Sequence, residues 1–361
     1  MNRIYNFNPG PAALPLEVLQ QAQQQGIEYG DYGMSLMEMS HRSKAVEQLV
    51  EETEQLLANI LDLPKGYRIL FMGGGASLQF AMLAMNFLRE GMAGGYIVSG
   101  SFAEKAFAEA QLAGNAYVAA SGKEHKWRKL PNVTHLSLHP NTAYVHITTN
   151  NTIEGSQFQQ FPDTGAVPLI GDMTSDLLSR KLDWTQFAMF YAAAQKNLGP
   201  AGVTAVVIRE ELLRECSERI PMILRYSTYA QHGSLYNTPP VHAIYMMKLV
   251  LQWVLRQGGI AALEKQNKLK AGLIYDVIDA SGGFYKGVIE KPDRSMMNMT
   301  WRMSDPETEE RFVKESELNG FDGLAGHRSV GGLRASAYNA VPIEACQALA
   351  QLMKDFHMRY G

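Results

Sequence analysis

Val167-Pro168-Leu169-Ile170-Gly171-Asp172 and, further on, Phe187-Ala188-Met189-Phe190-Tyr191-Ala192-Ala193-Ala194-Gln195-Lys196 decide the fold. Each is an apolar run that stops at a charged residue, the pattern of a buried strand whose end reaches a polar cleft. Arg68–Met72, Tyr96–Ser99, Ala143–Thr148 and Val203–Ile208 are runs of the same kind, and Ser77–Arg89 and Ser101–Ala113 between them read as helices. That alternation predicts an α/β sheet with parallel strands. Downstream, a helical pattern runs from Val241 to about Arg256, breaks at Gly258-Gly259, resumes over Leu263–Ile278 and stops at Ser281-Gly282-Gly283. A strand at Met297–Met303, a helix at Glu307–Leu318, a glycine-rich strand region at Gly320–Ser336 and a closing helix at Pro342–Arg359 predict a smaller C-terminal α+β domain.

The chain has 361 residues, 46% hydrophobic and 19% charged, too long for one ordinary core and too apolar for disorder, so about two domains are expected. A formal net charge of −3 excludes a global positive field for nucleic acid or an anionic membrane, so anionic ligands must be caught locally. The two cysteines, Cys216 and Cys346, have no CxxC or Cys/His spacing, which argues against a disulfide scaffold and against a metal site. The opening residues lack an apolar signal segment, and Val241–Leu255 is interrupted by His242, Lys248 and Gln252. A soluble, cytoplasmic protein is expected.

Gly73-Gly74-Gly75-Ala76-Ser77 follows an expected strand and opens an expected helix, so unpaired backbone N–H groups would converge on one point and suit a phosphate. The loop matches neither dinucleotide nor P-loop spacing and reads equally well as a turn with Ser77 at a helix start. Asp172 and Lys196 both emerge at strand ends, where open α/β sheets bind ligands. A carboxylate and an amine facing one cleft serve pyridoxal phosphate, the amine joining the aldehyde and the carboxylate holding the protonated ring nitrogen. Lysine released from the aldehyde can then move the α-proton as a general base. Singly, Asp172 also reads as a helix cap and Lys196 as a solvated loop residue.

The segment Tyr191 to Gly202 resembles the lysine motif of the phosphoserine aminotransferases, a class-V, fold-type-I pyridoxal phosphate family. The resemblance continues in Asn6-Phe7-Asn8-Pro9-Gly10-Pro11-Ala12, Met39-Ser40-His41-Arg42-Ser43, Gly73 to Gln79, Asn151-Thr152-Ile153-Glu154-Gly155, Gly171 to Ser175, Tyr236 to Pro240 and Gly326 to Ser336. It implies Lys196 as the lysine joined to the cofactor and Asp172 as partner of the ring nitrogen. It also implies Thr152 near the ring oxygen, Ala76, Ser77 and Gln195 at the phosphate, and Phe102 stacked on the ring where many relatives carry tryptophan. Asn237 and Thr238 would reach the cofactor phosphate of the neighbouring subunit, making the sites shared within a homodimer. Thr238 before Pro239-Pro240 also reads locally as a helix cap.

The implied reaction moves an amino group between glutamate and 3-phosphohydroxypyruvate, giving 2-oxoglutarate and O-phosphoserine, in serine and pyridoxine biosynthesis. Both substrates need a fixed cation for the shared α-carboxylate, which the family places at Arg334, and a second cluster for the γ-carboxylate or phosphate. His41-Arg42 and His327-Arg328 are expected there, one pair from the partner chain. The family also implies an arm over 1–15, a large cofactor domain over 16–257 with a mostly parallel seven-stranded sheet, and a small domain over 258–361. Two rivals stay open: another fold-type-I transaminase or lyase, and a nucleotide-binding protein built on Gly73–Gly75. A cysteine desulfurase would need a reactive thiol on a mobile loop, which neither cysteine resembles: Cys346 reads as core at helical spacing within Pro342–Arg359, and Cys216 lies within the helix-like Glu210–Arg219.

Overall fold

The computed structural model describes residues 3–361. Seven strands form the central sheet: β1 (Tyr67–Met72), β2 (Ala93–Val98), β3 (Ala116–Ser121), β4 (Thr142–Thr148), β5 (Leu169–Asp172), β6 (Met189–Ala193) and β7 (Thr204–Arg209). Their order is β1-β7-β6-β5-β4-β2-β3. Only β7 runs against its neighbours, pairing antiparallel with β1 and β6, while the other pairings are parallel. The expected mostly parallel sheet is therefore present. Strands β5 and β6 are buried along their whole length, as sheets covered on both faces require.

One face is covered by α1 (Leu16–Gln24), α2 (Lys44–Leu61) and α7 (Val241–Arg256), the other by α3 (Gly75–Phe87), α4 (Ser101–Ala113) and the short α5 (Glu210–Leu213) and α6 (Tyr226–Gln231), and each face has its own apolar cluster. The strand alternation gave no sign of α2. Its buried Val46, Leu49, Val50, Leu57 and Leu61 follow helical spacing, its first turn is capped by the Ser43 hydroxyl, and Asp62 stops it in the left-handed region. Emptying the Leu57 position to alanine costs about 2–5 kcal/mol on general grounds.

Helix α8 (Gly259–Ala280) leads to a third apolar cluster, built on a three-stranded sheet of Lys286–Gly287 (β8), Asn298–Arg302 (β9) and Leu333–Ser336 (β10) with α9 (Pro306–Leu318) and α10 (Ile343–Tyr360). Phe7 belongs to this cluster, and Tyr5–Asn6 pairs with Phe321–Asp322, so the chain's start is tied to its last third. No helix of the described residues is long and apolar enough to cross a membrane.

Three local expectations change. Helix α3 begins at Gly75, two residues before Ser77. Helix α7 begins at Val241 with no side-chain cap, and the Thr238 hydroxyl pairs instead with His41 Nδ1 at 3.2 Å, because the two prolines hold it away from the helix start. The helix after β7 ends at Leu213, so Cys216 lies beyond it.

Candidate active site

Because six strands share a direction, the C-terminal ends of β1, β2, β4, β5 and β6 meet along one edge. A cavity of about 280 Å³ opens there, and its lining includes Asp172, Lys196, Thr152, Phe102, Ala76 and Ser77. Asp172 and Lys196, singled out from two separate runs, thus face one space. Gln195, His327 and Arg334 border the same cavity.

Each side chain is placed by an identifiable local device. Register pairs Thr148 with Asp172 and Asp172 with Tyr191, so the carboxylate stands at the sheet edge. Its Oδ1 accepts the Thr174 N–H at 2.9 Å. Burial raises the Asp172 pKa, and the Thr174 hydrogen bonds and the Lys196 charge work against that rise. Lys196 is 8% exposed and donates to the Thr152 hydroxyl. Burial, opposed by Asp172 and helped by Arg334, pulls its pKa down to about 8. Its Nζ lies 5.7 Å from the centre of the Phe102 ring.

Ala76 and Ser77 occupy the first turn of α3, where N–H groups have no partner within the helix. Gly74 starts this helix at φ +86°, and a Cβ on it would come within 2.4 Å of Leu78 Cδ2. Glycine is therefore required at that position. Arg334 enters on β10, 4% exposed, donates from Nη1 to the Thr152 carbonyl at 3.2 Å, and keeps an unpartnered, buried Nε. A buried guanidinium with a free donor is a receptor for a carboxylate.

A second group forms elsewhere on the same chain. His41 meets Thr238, Asn237 lies beside it, and Arg42 follows, all outside the lining of the Lys196 cavity. Exposed Arg328 also lies outside that lining, whereas His327 is half-buried within it. The sequence-derived residues thus fall into two sets, one around Lys196 and one around His41.

Three contributors were given no role from the sequence, although Thr174 and Glu154 lie in segments that carry the resemblance. Thr148 lines the cavity with a buried, unpartnered hydroxyl. Thr174 holds Asp172. Glu154 accepts both the Ser101 N–H at 2.8 Å and the Ser101 hydroxyl at 2.6 Å, which fixes the head of α4 one residue before Phe102. The arm contributes as well: Pro9 and Gly10 line the cavity, and Ala12 donates to the Gln195 carbonyl at 2.9 Å.

Taken together, the donors fit pyridoxal phosphate. There is a low-pKa amine for an aldehyde, a carboxylate for a ring nitrogen, free N–H groups at a helix start for a phosphate, an aromatic face and an unsatisfied guanidinium.

A family model described as aminotransferase class-V matches residues 4–349. A relative named phosphoserine aminotransferase from Niallia circulans is 54% identical over 359 residues, covering 99% of both chains. Among solved structures, a phosphoserine aminotransferase from Bacillus circulans subsp. alkalophilus superposes with a TM-score of 0.98 at 54% identity, covering 99% of each chain. One from Trichomonas vaginalis, described as PLP-bound, gives 0.90 at 36% identity over 98% of this chain and 100% of that one.

Proposed function

The chain belongs to the class-V aminotransferase family, and from that premise we propose that it works as a phosphoserine aminotransferase with pyridoxal phosphate as cofactor. It transfers an amino group reversibly between L-glutamate and 3-phosphohydroxypyruvate, yielding 2-oxoglutarate and O-phospho-L-serine, in cytoplasmic L-serine biosynthesis. The same chemistry extends to a phosphorylated hydroxy-amino acid of pyridoxine biosynthesis. One observation carries the reading: Lys196, Asp172 and Arg334 border a single cavity of about 280 Å³.

Bound pyridoxal phosphate supplies an aldehyde for amines and a ring that accepts the electron pair left by a departing α-proton. Lys196 would hold the aldehyde carbon and, once displaced by substrate, carry the proton at its Nζ, a task its lowered pKa suits. Asp172, whose pKa burial raises while the Thr174 hydrogen bonds and the Lys196 charge oppose the rise, would hold the proton on the ring nitrogen. Thr152 would orient the Lys196 amine, and Phe102 would cover one ring face without the N–H that an indole would add. The N–H groups of Ala76 and Ser77, with the Ser77 hydroxyl and Gln195, would grip the phosphate.

Arg334 would bind the α-carboxylate common to both substrates. His327 lies in the cavity of its own chain, while His41 and Thr238 touch each other away from it. This supports a two-fold dimer in which His41, Arg42, Asn237 and Thr238 complete the partner's site, Thr238 and Asn237 at its cofactor phosphate. Ile27 (87% exposed) and Met37 (63% exposed), on the segment leading to His41, give that interface apolar surface to bury. The same assignment divides the chain into an arm (1–15), a large domain (16–257) and a small domain (258–361), a division supported by the separate third apolar cluster that takes in Phe7.

The deciding experiment is a visible spectrum of the purified protein before and after O-phosphoserine, coupled to turnover assays with O-phosphoserine and 2-oxoglutarate. A yellow protein labelled at Lys196 by borohydride, whose absorbance changes with O-phosphoserine, is expected. If O-phosphoserine were no better an amino donor than alanine, the substrate assignment would fall. A colourless protein whose melting temperature rises with nucleotide would favour the nucleotide-binding rival.

A further inference from the structure

Next to the Lys196 cavity lies a second one, of about 460 Å³, which shares Ile153, His327 and Arg334 with it. Two elements face each other across this outer cavity. One is the loop after β3, carrying Lys126, Trp127 and Arg128; the other is the small sheet, carrying Lys286 on β8 and Arg302 on β9. With the shared Arg334, five lysine and arginine side chains line this cavity in a chain whose net charge is −3. The carboxylate in the lining, Glu154, has one oxygen committed to Ser101.

The arrangement opposes ordinary folding economy. Lys286 and Arg302 are direct cross-strand partners in the antiparallel β8–β9 pair. Like charges directly opposite each other destabilise a sheet. Among the described residues, Lys126, Arg128 and Lys286 take part in no ion pair, and Arg302, which donates to the Val330 carbonyl, reaches Glu309 at 3.8 Å. The facing loop is held in place despite two successive residues with positive φ, Lys126 at 50° and Trp127 at 62°. Its Arg128 carbonyl accepts the Glu290 N–H, and its Leu130 N–H donates to Asp293, so the loop is moored across the cleft to the small-sheet side. Cations that converge on a moored, roomy cavity, three of them without an ion-pair partner, are a receptor for an anion.

We propose that the outer cavity is a docking subsite for a phosphate-bearing carboxylic acid, which Lys126, Arg128, Lys286 and Arg302 capture before it passes to Arg334 and Lys196. The identity of that acid rests on the function proposed above; the anion site itself does not. The subsite raises the local concentration of the more highly charged substrate and acts on encounter, leaving the chemical step untouched.

Two measurements on the holoenzyme test this. In the first, the Lys126→Ala/Lys286→Ala variant, which alters no residue of the catalytic cavity, should keep kcat but raise KM for the phosphorylated substrate about tenfold, with KM for glutamate changed much less. Its kcat/KM for that substrate should also depend less steeply on salt than in the wild type, and Lys126→Arg/Lys286→Arg should restore both. Unchanged KM and salt dependence would overturn the proposal. In the second, Trp127 emission, isolated by subtracting the Trp127→Phe signal, is titrated with inorganic phosphate, O-phosphoserine and serine. Saturable responses to both phosphates, absent with serine and lost in the alanine variant, are expected. A response to O-phosphoserine alone would show that the site needs the carboxylic acid as well as the phosphate. No response to either phosphate would overturn the site. A phosphate response in a protein that fails to transaminate O-phosphoserine would leave the subsite standing while the functional assignment fell.

Discussion

Lys196 is neutral above the pH to which burial drives it. With its amine near 8 instead of 10.5, and only the neutral form able to attack an aldehyde, the rate at which apoprotein captures pyridoxal phosphate should climb with pH to a plateau. Stopped-flow absorbance should place the midpoint near 8; one near 10.5 would remove burial as the cause. The stability sign follows from the same shift. Between pH about 8 and 10.5 the unfolded chain binds more protons at this residue than the folded one, so apoprotein stability from Lys196 rises with pH through that window. Lys196→Met should flatten that rise and abolish turnover. Glu154 acts through Phe102. Glu154→Ala leaves the two Ser101 donors bare, at a cost of about 1–3 kcal/mol, and should shift the bound cofactor's absorbance and lower kcat about tenfold; Glu154→Gln, which keeps an acceptor, should recover most of both. Burial, together with Arg334, Arg328 and Lys105, lowers the pKa of His327. A phosphate dianion pulls it back up, so KM for 3-phosphohydroxypyruvate should rise as pH passes through neutrality. Identical pH profiles for wild type and His327→Asn would deny His327 a charge role.

At the scale of elements, the β1–α3 turn is the least forgiving. Gly74→Ala must place a Cβ 2.4 Å from Leu78 Cδ2 and 2.6 Å from Leu78 Cβ at φ +86°, which costs about 1–3 kcal/mol. Faster loss of cofactor on dialysis and a lower Tm are expected, since this turn aims the N–H groups of Ala76 and Ser77. The strands that lead to Asp172 and Lys196 were legible because burial on both faces makes them unbroken apolar runs. Strand β3 was not, because it is a sheet edge with Val118 exposed and no clean alternation. Thr238 has the chemistry of a cap and the neighbours of one, yet tertiary contact with His41 claims its hydroxyl. Thr148, Thr174 and Glu154 enter the site through register and through contacts up to 53 residues apart, and periodicity holds no information about such encounters.

The whole molecule is where two sets of residues, apart on one chain, must be reconciled. If His41 and Arg42 serve the partner's cavity, Lys196→Ala and Arg42→Ala homodimers should each be inactive or nearly so. Unfolding and refolding them together at equal ratio should then restore activity to about a quarter of wild type, since half the dimers are mixed and each of those has one complete site. No recovery in dimers verified as mixed would place both sets in the same subunit's site. Ile27→Glu with Met37→Glu should weaken association in sedimentation while the monomer keeps its far-UV signature.

Gly10 sits so close to Lys196 that a Cβ there would lie 3.5 Å from the lysine's Cε, while Pro9 accepts from the Tyr338 hydroxyl and Tyr5–Asn6 rides on Phe321–Asp322. A protease that trims the leading dozen residues would therefore remove one wall of the reaction chamber while leaving the central sheet intact. Such a product would remain well folded by circular dichroism yet leak cofactor to bulk water, and a bulky fusion at that end should produce a milder version of the same defect.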